Sequence, residues 1–324
     1  MKILLFETLF FRLCYFTLQI EQVEFLYSKL TPINLSEIKD VIKKIFLTVC
    51  LLSILSSGCA KSVNQANDNN EQQHSNQNNI DNINVNDIRS KAEKGDPEAQ
   101  YNLGVMYAEG YKDIQPDILK AIEWYTLSAN QGYVNAQYNL GLLYMGNEHI
   151  KPDYAKAKYW YEKAAVQGDI PSLNELGNFY SKGLGIKQDY QKAIKYYLDA
   201  ANAGDSDAQT NLGTMFLHGR GVTQNKEEAS QWYLKAAIQG DIDAQYNLGL
   251  MYLLGDGIKQ DYPQAQKWFL AAANQGESNA QFHLGKIYKD GLGVDKNLSL
   301  ARTWFEKSAE AGNSYAAQEL SKMN

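Results

Sequence analysis

A chain of 324 residues that sets 31 Lys and Arg against 37 Asp and Glu carries a formal charge of −6, and no run of its basic residues could track a phosphate backbone. Nucleic acid is therefore not an expected partner. All three cysteines, Cys14, Cys50 and Cys59, precede residue 60, so the remainder can build neither a disulfide framework nor a thiolate metal site and must be held by packing.

Residues 1–40 include the apolar stretch "MKILLFETLFFRLCYFTLQI", broken by Glu7 and Arg12. In residues 41–58 two lysines precede an apolar run from Ile45 to Leu55 and then small residues. That is the layout of a secretory signal peptide, too short for a spanning helix of about 20 residues. Because such a peptide stands at an N-terminus, residues 1–40 read as a misassigned start, with an extra membrane segment as the alternative. No Met occurs between Met1 and Met106, so a late start would use a non-AUG codon. The stretch "LSSGC" resembles the lipobox of bacterial lipoproteins, although Leu55 stands one place early and Ser56 takes the preferred leucine position. The resemblance implies lipidation of Cys59 and, with Ala60 following, sorting to the outer membrane of a Gram-negative envelope, facing the periplasm or the surface. Residues 59–84 then read as the lipidated cysteine and a disordered tether, over half Asn and Gln beyond Cys59.

From residue 85 to 324 the chain repeats itself. "AQYNLG" occurs at 99–104, 136–141 and 244–249, and weaker copies begin at Ser172, Ala208 and Ala280. The period is 36 residues with one step of 37, the extra residue falling in the loop before Ala121. Within the fifth unit Ala244, Leu248 and Met251 recur at helical spacing until Gly255, and Ala265, Trp268, Phe269 and Ala272 repeat the pattern until Gly276. Each unit is thus two antiparallel helices. One second-helix position holds Trp124, Trp160, Tyr196, Trp232, Trp268 and Trp304, which predicts a core anchor wedged between neighbouring helix pairs. Gly104, Gly141, Gly177, Gly213, Gly249 and Gly285 sit inside first helices, where glycine is unfavourable by up to about 1 kcal/mol relative to alanine. Their recurrence predicts a neighbouring helix passing too close for a side chain.

The combined pattern A-x₃-LG-x₂-Y-x₂-G-x-G followed by D-[YF]-x-x-A-x-x-W-[YF]-x-x-AA-x-x-G resembles the Sel-1-like repeat family, relatives of tetratricopeptide repeats. The resemblance implies an all-α fold, an α-solenoid coiled as a right-handed superhelix of antiparallel helix pairs, with six complete units and half-unit caps. Its local departures, Asn147 and His149 for turn glycines and "SLNELG" for the usual opening, affect curvature only. Some cysteine-rich secreted members act as β-lactamases or penicillin-binding proteins. The repeats here have no cysteine and no Ser-x-x-Lys signature, so that hydrolase is the lesser alternative and no catalytic residue is assigned. No cofactor, metal site or small-molecule substrate is expected either, the histidines lacking ligand spacing.

In related solenoids the first helices line the concave side. The expected groove comprises Tyr101 in the first unit, Tyr138, Leu142 and Met145 in the second, Asn174 and Asn178 in the third, Thr210 and Thr214 in the fourth, Tyr246 and Leu250 in the fifth, and Phe282 and Lys286 in the sixth. Apolar ends around an amide and hydroxyl centre suit an extended peptide or a partner's helix. The alternative is that tight coiling buries these side chains between units. The function expected is an envelope-anchored interaction scaffold.

Overall fold

The computed structural model describes residues 84–147 and 150–323. The segments read above as start, signal peptide, lipidated Cys59 and tether lie outside the described residues except for Asn84, which caps the first helix, and His149 lies outside them too. Helix α1 (Val85–Glu93) precedes six pairs: α2 (Pro97–Glu109) with α3 (Ile118–Asn130), α4 (Val134–Tyr144) with α5 (Tyr154–Val166), α6 (Ile170–Lys182) with α7 (Tyr190–Asn202), α8 (Ser206–His218) with α9 (Lys226–Gln239), α10 (Ile242–Leu254) with α11 (Tyr262–Asn274), and α12 (Ser278–Asp290) with α13 (Leu298–Glu310). A short α14 (Ser314–Lys322) closes the array. Among the described residues there is no strand beyond one isolated bridge, and no helix is long and apolar enough to cross a membrane. The architecture is an all-α solenoid.

Local signals set the helix ends. Every second helix begins on an Asp or Asn, at 117, 153, 189, 225, 261 and 297, whose side-chain oxygen accepts from the N–H three residues on. Such a cap satisfies a donor the helix leaves open and contributes about 1 kcal/mol. At the other end, α6, α8, α10 and α12 stop on a left-handed glycine, Gly183, Gly219, Gly255 or Gly291. Where Asn147 takes that place, α4 stops early at Tyr144, after 11 residues instead of the 13 of α6. The departure noted in the sequence shortens a helix without altering the pairing.

The core repeats with the sequence. Ala99, Ala136, Ala208, Ala244 and Ala280, and Leu103, Leu140, Leu176, Leu212, Leu248 and Leu284, are all buried. The helix glycines face the aromatic residue that follows the tryptophan position in the same unit. A Cβ at Gly104 would lie 2.6 Å from the Tyr125 ring, at Gly213 2.7 Å from Tyr233, and at Gly249 2.7 Å from Phe269. What passes too close is a ring from the partner helix and not the helix backbone. These rings (Tyr125, Tyr161, Tyr197, Tyr233, Phe269 and Phe305) are at most 3% exposed and, with Phe179, are the deepest aromatics among the described residues. The tryptophans lie at the unit boundaries: Trp232 packs on Ala193, Tyr197 and Ala201 of the preceding unit, and Trp304 packs on Ala265, Phe269 and Ala273. Their wedge position matches the expectation, while Lys235, Lys267 and Lys307 lie over the outer faces of Trp232, Trp268 and Trp304.

Neighbouring units are also joined by buried glutamines. The Nε2 of Gln100, Gln137, Gln209, Gln245 and Gln281 donates to the carbonyl eight residues earlier, at 3.0–3.2 Å. Gln131, Gln167, Gln239 and Gln275 donate in turn to the Oε1 of Gln100, Gln137, Gln209 and Gln245, at 2.8–3.0 Å. In the third unit Leu173 replaces the first glutamine and Ala203 the second, so the pair is lost as a pair. That removal leaves no buried amide without a partner.

Candidate functional site: the first-helix face

The backbones of α6 and α8 approach one another across a unit boundary, which identifies the first helices as the inner layer at the middle of the array. Within each hexapeptide the alanine and leucine face the core, the glutamine faces the preceding unit, and the third and fourth residues remain for the inner face.

On that face the apolar ends are half-buried rings. Tyr101 lies 5.7 Å from the Tyr125 ring and 5.2 Å from Tyr133, Tyr138 lies 5.8 Å from Tyr161, and Tyr246 lies 6.0 Å from Phe269. Phe282 is held between Phe305 at 5.8 Å and Tyr315 at 6.3 Å. Leu142 is the open member, 43% exposed, whereas Met145 and Leu250 are half-buried against neighbouring clusters. Lys286 reaches toward Asp290 at 3.9 Å. The stripe is thus neither free nor entombed: its rings pack on the deep aromatics and show one edge.

The centre is polar through two layers. The Tyr197 hydroxyl donates to Asn178 Oδ1 at 2.9 Å, and the Tyr233 hydroxyl shares a hydrogen bond of 3.0 Å with Thr214, which also donates to the Thr210 carbonyl. Asn211 donates to Asn174 Oδ1 at 3.0 Å across the boundary between units. Asn174 is itself buried, 5% exposed, so it supports Asn211 from beneath instead of facing an open groove as expected. Second-helix tyrosines, absent from the expected site, therefore contribute their hydroxyls to the first-helix face. Where the stripe carries Leu250 or Lys286, the ring beneath is Phe269 or Phe305 and has no hydroxyl to satisfy. Tyr125 and Tyr161 depart from this pattern, with Val105 and Leu142 in place of the polar neighbour: the Tyr125 hydroxyl accepts from Asn139 Nδ2 at 3.3 Å, while the buried Tyr161 hydroxyl makes no protein hydrogen bond. Burial raises the Tyr161 phenol, and raises Tyr197 to about 12, so both stay protonated donors.

Charge divides across the face. At the N-terminal ends of the first helices, burial first and repulsion from neighbouring carboxylates second, Asp205 and Asp241 for Asp207, and Asp241 and Glu277 for Asp243, raise both carboxyls. Glu175, which replaces the usual asparagine, is raised by burial and partly relieved by a hydrogen bond from Asn178. At the C-terminal ends stand Lys182 and Arg220, both exposed. Among the described residues no group of three or more His, Cys, Asp or Glu is placed to hold a metal ion.

A Sel1 repeat model matches six consecutive segments, 97–133, 134–169, 170–205, 206–241, 242–277 and 278–313, each coinciding with one helix pair. The chain belongs to the Sel1 repeat family. Its structure is similar to that of a protective antigen from uropathogenic Escherichia coli strains displaying an SLR fold, with 36% identity and a TM-score of 0.70 over 74% of this chain and 51% of that one. It is likewise similar to a Sel1 repeat protein from Oxalobacter formigenes, with 35% identity and a TM-score of 0.69 over 73% of this chain and 68% of that one. The chain spans about half the length of the first and about two thirds of the second. No curated protein matches it significantly. Sel1 repeats generally mediate contacts between proteins.

Proposed function

We propose that this Sel1 repeat protein is a non-catalytic interaction scaffold whose inner face docks an extended segment of a partner protein, and that it is held at a bacterial envelope by lipid on Cys59. The observation that carries the docking reading is the combination of ring edges fixed by deep aromatics with a hydroxyl and amide centre fed from two helix layers. Rigid half-buried rings give up little rotamer freedom on binding, and the polar centre can pair with a peptide backbone. The lipidated anchor rests on "LSSGC" alone.

Envelope preparations carrying tagged wild-type protein, the pair Leu142→Arg with Lys286→Glu, and Cys59→Ser test both parts in one experiment. Because Leu142 is open and Lys286 half-exposed, the pair should keep wild-type helicity and melting temperature. Its capture of the bound partner should fall by about tenfold or more if these positions border buried anchors. Val166→Ser, at a residue 89% exposed near the end of α5, serves as control. A stable pair that captures its partner normally refutes docking on this face, and Cys59→Ser protein that stays in the membrane fraction refutes the lipid anchor.

A further inference from the structure

Between the C-terminal halves of α6 and α8 lies a cavity of about 410 Å³, bordered by Asn178, Ser181, Lys182, Asn211, Thr214 and Arg220. Tyr197 closes its floor, fixed by the hydrogen bond from its hydroxyl to Asn178. Asn211 and Thr214 are likewise fixed, by Asn174 and Tyr233. The polar wall is thus preorganised, and the charged groups on its border are both cations.

Neither cation has found a carboxylate: Lys182 and Arg220 form no ion pair among the described residues. Glu175, on which Lys182 acts electrostatically, does not border the cavity. Other lysines of the array pair where an acid is near, as Lys226 does with Asp256 at 2.6 Å and Lys158 with Glu162 at 2.5 Å. A two-residue cationic border around neutral amides and hydroxyls favours an anionic group with several acceptor oxygens. Arg presents parallel N–H donors that match a planar carboxylate, and Lys adds a point charge.

We propose that this cavity is a carboxylate subsite, taking an Asp or Glu side chain or the C-terminal carboxylate of the partner segment. The proposal rests on the docking of a protein segment described above, and it names the chemical feature that such a segment must carry. The subsite would also set register. A segment lying along the inner face would seat its carboxylate at the third and fourth units, a side-chain carboxylate leaving apolar residues for the rings on both sides and a terminal carboxylate for those on one side.

Selection of binders from a display library of random dodecapeptides with free C-termini, against the purified full chain, provides the test. The selected peptides should be enriched in an acidic residue or depend on the free terminus. Synthetic analogues separate the two sources, amidation removing the terminal charge and Asp→Asn or Glu→Gln removing the side-chain charge. Whichever change removes the essential carboxylate should weaken binding to the wild type by about tenfold. Lys182→Ala with Arg220→Ala, both at exposed positions, should weaken the parent peptide comparably and leave the neutral analogue's affinity unchanged. Peptides that lose affinity on Leu142→Arg with Lys286→Glu but show no carboxylate dependence would overturn the subsite and leave the docking face standing. Peptides indifferent to all of these substitutions, or no selected peptide at all, would overturn both.

Discussion

His283 occupies the place held by Asn102, Asn139, Asn211 and Asn247 in four other units, and its ring stacks on Phe269 at 4.9 Å with an interplanar angle of 10°. Burial there lowers its pKa from 6.5 to about 4, against a smaller raising effect of Glu277, while Lys286 adds to the lowering. The unfolded chain therefore binds a proton near pH 6.5 that the folded chain refuses until about pH 4. Stability from this residue is present above pH 6.5 and is lost as pH falls toward 4, by an amount on the order of 3 kcal/mol. Glu175, Asp207 and Asp243 act in the opposite sense, since carboxyls raised in the folded state gain protons there first as pH falls. The residue's own share is thus the difference between wild type and His283→Asn. Urea unfolding at pH 7 and pH 5 should show the wild type losing more stability than the variant. Equal losses would mean that the imidazole is solvated in the folded state.

At the scale of the element, two opposed effects meet at each first-helix glycine. Alanine at Gly249 would gain about 1 kcal/mol of helix propensity. Its Cβ, however, would lie 2.7 Å from the Phe269 ring, which is fully buried and cannot step aside. Overpacking of this kind generally costs about 1–3 kcal/mol, so Gly249→Ala should destabilise despite the better helix former. Thermal unfolding decides the sign, and Gly249→Ala combined with Phe269→Leu should recover part of the loss if ring and glycine are coupled. A gain in stability for the single variant would show that the ring yields. The helix pairs, their order and the wedge tryptophans were legible in the sequence because apolar period and rare residues report local geometry. The buried glutamines were not, since Gln275 meets Gln245 from the other helix of the same unit, 30 residues on, and Gln245 meets a carbonyl of the preceding unit, contacts that no apolar period reports. Nor were the tyrosine hydroxyls of the inner face. Their signal was present as the alternation of Tyr197 and Tyr233 with Phe269 and Phe305, matched to Asn178 and Thr214 against Leu250 and Lys286, but it has meaning only once the ring is known to cross beneath the glycine.

At the scale of the whole molecule, equivalent interfaces repeat by translation along the chain, so stability should be close to a sum over units and their boundaries. Excision of residues 206–241 joins Asp205 to Ile242, and Asp205 can then cap α10 as Asp241 does, through the N–H three residues on. Trp268 would meet Ala193, Tyr197 and Ala201 as Trp232 does now, and Gln245 would find the Ala201 carbonyl that Gln209 uses. The shortened chain should therefore fold, with helix content reduced by α8 and α9 alone. It would lack Asn211, Thr214, Arg220 and Tyr233, half of the polar centre, and should lose affinity for the partner segment while keeping its rings. Removing residues 206–225 alone must fail instead, because α9 would follow α7 with no first helix between them and both would present core faces to water. Circular dichroism and urea unfolding of the two deletions separate the outcomes. Should the longer deletion fail to fold while point variants at the unit boundaries remain stable, the array is one cooperative body with non-equivalent interfaces, and the division of labour between ring-bearing ends and polar centre is a property of the whole curve instead of the individual units.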